Sequence, residues 1–164
     1  MSENSSEQQF VTFSLGEEVF AVPVAVVREI LDHEDAFKIP HGPDYLLGLR
    51  DVRGQGVPVI DLRLRLGMTA TVKTPHTRIL VMDIPLANRS LAVGVVADKV
   101  FEVIPFHLKD IEQAPDIGVQ WRSDYIHGVV RREQGFVVII DLARLFSGEE
   151  VALAATGSRK LATA

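Results

Sequence analysis

The sequence predicts a mostly β protein, built as two small β-barrels with a few short helices. Three observations carry that expectation. Short runs rich in Val, Ile, Leu and Phe are separated by turn-forming residues at close intervals. One strand–turn–strand pattern occurs twice at a fixed spacing. Aromatic residues are only 7% of a chain that is 47% hydrophobic, so the core is aliphatic, of the kind that β-branched strands pack.

Taken in order, the first element is a hairpin. Phe10-Val11-Thr12-Phe13-Ser14-Leu15 runs into Gly16-Glu17-Glu18 and returns as Val19-Phe20-Ala21-Val22. Residues 24–31 are ambiguous, because their Val-rich composition contests a helical spacing. A second hairpin is expected from residues 78–84 and 90–96 around the turn at 85–89.

The repeat is more informative. Tyr45-Leu46-Leu47-Gly48, followed by Gly56-Val57-Pro58-Val59-Ile60-Asp61-Leu62, returns as Tyr125-Ile126-His127-Gly128 and Gly135-Phe136-Val137-Val138-Ile139-Ile140-Asp141-Leu142. The Tyr, Gly and Asp-Leu positions all recur 80 residues on. A looser echo links Phe20-Ala21-Val22-Pro23-Val24 with Leu91-Ala92-Val93-Gly94-Val95. In each copy a strand meets a tight turn, Arg53-Gly54-Gln55-Gly56 or Glu133-Gln134-Gly135, and a second strand ends on an Asp. That Asp stands where a side chain would cap the free N–H groups of a short helix, so Asp61 and Asp141 are expected to be helix caps. Gly54 and Gly56 are expected to be turn residues. Two halves, 9–75 and 76–150, follow, with strands free to exchange between them; closing each sheet into a barrel hides its edges.

The remaining composition narrows the function. The net charge is −5 with no basic block, a poor match for a phosphate backbone, so no nucleic-acid partner is expected. There is no cysteine, which removes thiol nucleophiles, disulfides and zinc–thiolate sites. Residues 1–8 read as a disordered polar tail rather than a signal peptide. Residues 151–164 read as a second tail, with a composition that also allows the preceding helix to continue. No apolar run approaches the ~18 residues that cross a bilayer, so the expected protein is soluble.

Catalytic chemistry finds no support. The five histidines have no metal-ligand spacing, and no metal or cofactor is expected. Gly54-Gln55-Gly56 lacks the Lys-Ser/Thr of a phosphate loop. Asp61 and Asp141 are the only tempting carboxylate pair, but equivalent placement in two halves argues for a structural task. Arg53 and Glu29 read, from spacing alone, as solvated surface charges.

The chain nevertheless resembles the CheW family of bacterial chemotaxis coupling proteins from about residue 9 to residue 150. The resemblance lies in Phe13-Ser14-Leu15-Gly16-Glu17-Glu18, Val27-Arg28-Glu29-Ile30, Gly48 through Val52-Arg53-Gly54, and Val57-Pro58-Val59-Ile60-Asp61-Leu62-Arg63. It continues in residues 93–100, Ala114-Pro115-Asp116, Tyr125-Ile126-His127-Gly128 and Ile139-Ile140-Asp141-Leu142. It implies two SH3-like five-stranded barrels in one domain at 9–150. It also implies a non-catalytic cytoplasmic adaptor that joins the tips of membrane chemoreceptors to the CheA histidine kinase, meeting the membrane only through receptors. Arg53 and Glu29 fall on the family's receptor-contact positions, with Val27 beside them; the kinase-binding face is not assigned. Asp51-Val52 stands where Asn-Leu is usual; the added negative charge is free to pair with Arg53, which bears on the choice of receptor and not on the class of protein. Two other readings remain: an adaptor for a pilus or second-messenger pathway, and a ligand-binding or hydrolytic barrel with Asp61 and Asp141 in one cleft.

Overall fold

A computed structural model describes residues 6–34, 36–40, 42–113, 125–133 and 135–146. Ten strands occupy most of them: β1 (Glu7–Leu15), β2 (Glu18–Pro23), β3 (Val27–Asp32), β4 (Leu46–Val52), β5 (Gln55–Asp61), β6 (Arg78–Pro85), β7 (Ser90–Ala97), β8 (Lys99–His107), β9 (Ile126–Arg132) and β10 (Gly135–Ile140). Two one-turn helices, α1 (Leu62–Arg65) and α2 (Leu142–Leu145), follow β5 and β10. The ambiguous stretch resolves into a 3₁₀ turn at Val24–Val26 and strand β3. Pro23 starts the turn, and β-branched side chains then favour the extended ladder opposite β6. Residues 7 and 8, expected in the N-terminal tail, instead pair within β1, Glu7 with His107 and Gln8 with Phe106; residues 1–5 lie outside the described residues. The 151–164 tail and the Ala114-Pro115-Asp116 motif lie outside the described residues.

The strands form two five-stranded sheets, ordered β8-β1-β2-β10-β9 and β3-β6-β7-β5-β4. Neither half makes a sheet of its own. The opening hairpin of each repeat, β1–β2 or β6–β7, is completed by the last three strands of the other. The seam is parallel in both sheets: β10 runs along β2 at Val137–Val19 to Ile139–Ala21, and β5 along β7 at Val59–Gly94 to Asp61–Val96.

Each sheet is then drawn shut by one bridge from the segment after its edge strand to the opposite edge. Phe37 and Leu49 exchange two backbone hydrogen bonds of 2.7 Å. Glu112 and Val129 exchange bonds of 2.8 and 2.9 Å. These crossings explain the recurrent glycine. A Cβ on Gly48 would strike the Phe37 carbonyl, and one on Gly128 would lie 2.5 Å from Ile111 Cγ2 and 2.8 Å from the Glu112 carbonyl.

Period-two alternation feeds three cores. Val11, Phe13, Phe20, Val22, Leu80, Met82, Val93 and Val95 point into a central core shared by both sheets. Their neighbours Phe10 and Ala21 fill the first barrel with Phe106, Val130 and Ile139. Ile79, Val81 and Val96 fill the second with Val52, Val57 and Val59. Strands buried on both faces read as continuous aliphatic runs, which is why alternation in the sequence is weak.

Candidate functional site

The repeat places equivalent groups in equivalent positions. Asp61 N–H donates to the Tyr45 carbonyl and Asp141 N–H to the Tyr125 carbonyl, both at 2.8 Å. Each Asp also accepts from a first-turn amide at 3.1 Å, Asp61 from Arg63 and Asp141 from Arg144. Asp61 holds more: it is 2% exposed and accepts from the Thr71 amide at 2.9 Å and the Thr71 hydroxyl at 2.8 Å. Both carboxylates thus face their own helix starts. Among the described residues no group of His, Asp or Glu side chains is arranged to hold a metal ion.

The β4–β5 hairpin is closed by two residues, because Val52 already pairs with Gln55. Arg53 and Gly54 have φ of +53° and +84°, the left-handed pair that a type I′ turn requires. Gly56 is therefore not a turn residue; it lies within β5, opposite Asp51. Among the described residues Arg53 is the only non-glycine with positive φ. Glycine or asparagine usually takes that position: a Cβ crowds the following carbonyl there, glycine has none, and asparagine offsets the crowding with a local hydrogen bond.

Arg53 does not stand alone in solvent. Its Nε donates to Glu29 Oε2 at 3.0 Å, bridging the hairpin tip to edge strand β3. The arginine side chain is 77% exposed and the glutamate 22%. Its two terminal nitrogens make no hydrogen bond among the described residues. Asp51 does not pair with Arg53: its Oδ1 accepts from the Gly54 amide at 2.9 Å.

Around the tip, Arg28 donates to Gln55 Oε1 at 3.2 Å and lies 3.4 Å from Asp83. Arg50 reaches the Asp32 carbonyl at 2.6 Å. The Arg50 contact joins the two edge strands of the second sheet and the Arg28–Gln55 contact joins β3 to the start of β5; hydropathy patterns contain no signal for them.

Val27 shares β3 with Glu29 but is half-buried against the central core. Next to it, Val26 lines a cavity of about 250 Å³ at the junction of the two sheets, with Phe10, Pro23, Ile84 and Ile139. His127 and Asp141 give it a polar rim. Asp61 is not among its lining residues, so this cavity does not hold the carboxylate pair that a hydrolytic barrel would need. Val57 and Val59 are 1% exposed and belong to the core.

One residue that no spacing singled out joins the halves. The Arg65 guanidinium lies 5.4 Å from the Tyr45 ring and 4.8 Å from the Tyr125 ring, and donates to the Leu145 carbonyl at 2.8 Å. Its signal is slight: a charge inside the apolar run Leu62-Arg63-Leu64-Arg65-Leu66.

Comparison with known proteins decides the family. A model of the CheW-like domain matches residues 9–150. The chain belongs to the CheW family. It is 29% identical to the chemotaxis protein CheW of Treponema pallidum (strain Nichols), over 92% of this chain and 89% of that protein. With the chemotaxis protein CheW of Rhizobium meliloti (strain 1021) it shares 31% identity, over 87% and 90%. The crystal structure of the scaffolding protein TtCheW from Thermoanaerobacter tengcongensis superposes with a TM-score of 0.76 at 29% identity, covering 87% and 90% of the two chains. This CheW-family chain is a chemotaxis adaptor.

Proposed function

We propose that the chain couples chemoreceptor tips to a CheA-type histidine kinase without catalysing a reaction, and that the Arg53 hairpin is its receptor-docking element. The supporting observation is how Arg53 is held. Its backbone is fixed in a left-handed turn and its Nε is held by Glu29, while the terminal fork is left for a partner. A guanidinium aimed in this way donates to a carboxylate or to the carbonyls at a helix end. The apolar cavity beside Val26 and Val27 suits the apolar face of a receptor helix.

Within this reading the three residues have different tasks: Arg53 touches the receptor, Glu29 orients it, and Val27 shapes the surface below. The kinase binds elsewhere, so both partners are held at once. Recruitment to the membrane then runs through the receptors; among the described residues no helix is long and apolar enough to cross a bilayer. Co-sedimentation with receptor-bearing membranes and kinase tests this: Arg53→Glu should lose the receptor while still binding the kinase. Retention of both partners by that variant would remove the assignment.

A further inference from the structure

We infer that Asp51 is a positioning residue for Arg53, acting through the Gly54 amide; the inference rests on the docking role proposed for Arg53. Three observations on the hairpin carry it. The Asp51 carboxylate accepts the Gly54 N–H at 2.9 Å, reaching over Val52 and Arg53 to the second residue of the turn. Gly54 is the second of two consecutive left-handed residues, and the first is Arg53 itself. The residue opposite Asp51 is Gly56, which has no side chain to compete for the space over the ladder.

The physical consequence concerns population rather than folding. An arginine in the left-handed region is disfavoured locally, and an exposed two-residue tip has little packing to hold it there. The Gly54 amide can be satisfied by water when the turn opens, so a fixed acceptor on Asp51 shifts the balance toward the closed turn. When the turn opens, Arg53 leaves Glu29 and its fork loses a defined direction. The partner then meets a competent tip for only a fraction of the time, and apparent affinity falls by that fraction. Asp51 touches neither the partner nor the Arg53 side chain in this scheme. Its carboxylate acts as a hydrogen-bond acceptor, which an asparagine carbonyl supplies equally well.

The test compares the full chain with Asp51→Asn, Asp51→Ala, Arg53→Glu, Arg53→Ala and the double variant Asp51→Ala/Arg53→Ala. Binding is measured to a chemoreceptor cytoplasmic fragment held in nanodiscs, and Gly54 amide exchange is followed by NMR. Asp51→Asn should bind within about twofold of the parent, since its carbonyl keeps the Gly54 bond. Asp51→Ala should bind roughly fivefold more weakly and exchange the Gly54 amide faster, because the closed turn is then less populated. In an Arg53→Ala background, Asp51→Ala should cause no additional loss, the mark of a residue that works through Arg53. Parent-like binding by Asp51→Ala, failure of Asp51→Asn to restore binding, or an additive loss without Arg53 would each overturn the inference. Parent-like binding by Arg53→Glu would instead remove the docking role, and Gly54 exchange alone would then decide whether Asp51 holds the turn.

Discussion

Arg53 and Glu29 are 24 residues apart in sequence and 3.0 Å apart in space. They reach each other because the second sheet is ordered β3-β6-β7-β5-β4 and its two edges are drawn together. A contact across that closure costs the fold little if lost. Exposed ion pairs contribute about 0–1 kcal/mol. Arg53→Glu and Glu29→Gln should therefore each leave the melting temperature within a few degrees of the parent. Receptor binding should separate them: Arg53→Glu abolishes it and Glu29→Gln weakens it. Thermal unfolding and co-sedimentation measure the two effects on one preparation.

The left-handed backbone of Arg53 makes a sharper prediction. Arginine at φ +53° is strained where asparagine is not, and strain of this kind costs on the order of 1 kcal/mol. Arg53→Asn should stabilise the chain by about 0.5–1 kcal/mol while losing receptor binding. Denaturant midpoints check the first part. Loss of stability on this substitution would show that the tip is not strained.

How much of this was legible depends on whether the cause is local. Asp61 and Asp141 announce themselves because a cap is set by a few neighbouring residues. Gly54 follows for the same reason, but Gly56 was misplaced because glycine spacing alone does not fix how many residues close a hairpin. The 80-residue repeat gives two halves and leaves strands free to exchange between them, but not which strands exchange: β3–β5 complete the sheet begun by β6–β7. Alternation tells which residues form strands and which faces are apolar; it carries no record of the partner strand. The Arg53–Glu29 and Arg65–Leu145 contacts depend on that exchange and were hidden with it. The resemblance of Val27-Arg28-Glu29-Ile30 and Val52-Arg53-Gly54 to one family raised two surface charges above their neighbours, where physical patterning did not.

The two caps should differ in cost. Asp141→Ala removes a partly exposed cap and should destabilise by about 1 kcal/mol. Asp61→Ala leaves the Arg63 and Thr71 amides and the Thr71 hydroxyl without their acceptor in a buried place, and should cost about 2–4 kcal/mol. Chemical denaturation of the two variants gives the comparison; equal costs would contradict it.

Barrel closure is tested at the repeated glycines. Gly48→Ala sets a methyl group against the Phe37 carbonyl, and Gly128→Ala sets one against Ile111 and Glu112. Neither backbone crossing can move without breaking its two-bond bridge. Each substitution should destabilise by about 2–4 kcal/mol, read from urea unfolding. Gly56→Ala meets only ordinary contact with Leu49 and should cost under about 1 kcal/mol.

Reconstitution of receptor, kinase and this chain, with kinase phosphorylation rate as the signal, measures receptor docking most directly. The parent chain should raise that rate in a receptor-dependent way. Arg53→Glu should fail to raise it, although it is folded and still retained on immobilised kinase. Normal receptor-dependent stimulation by Arg53→Glu would contradict the claim that the hairpin tip is where the receptor docks.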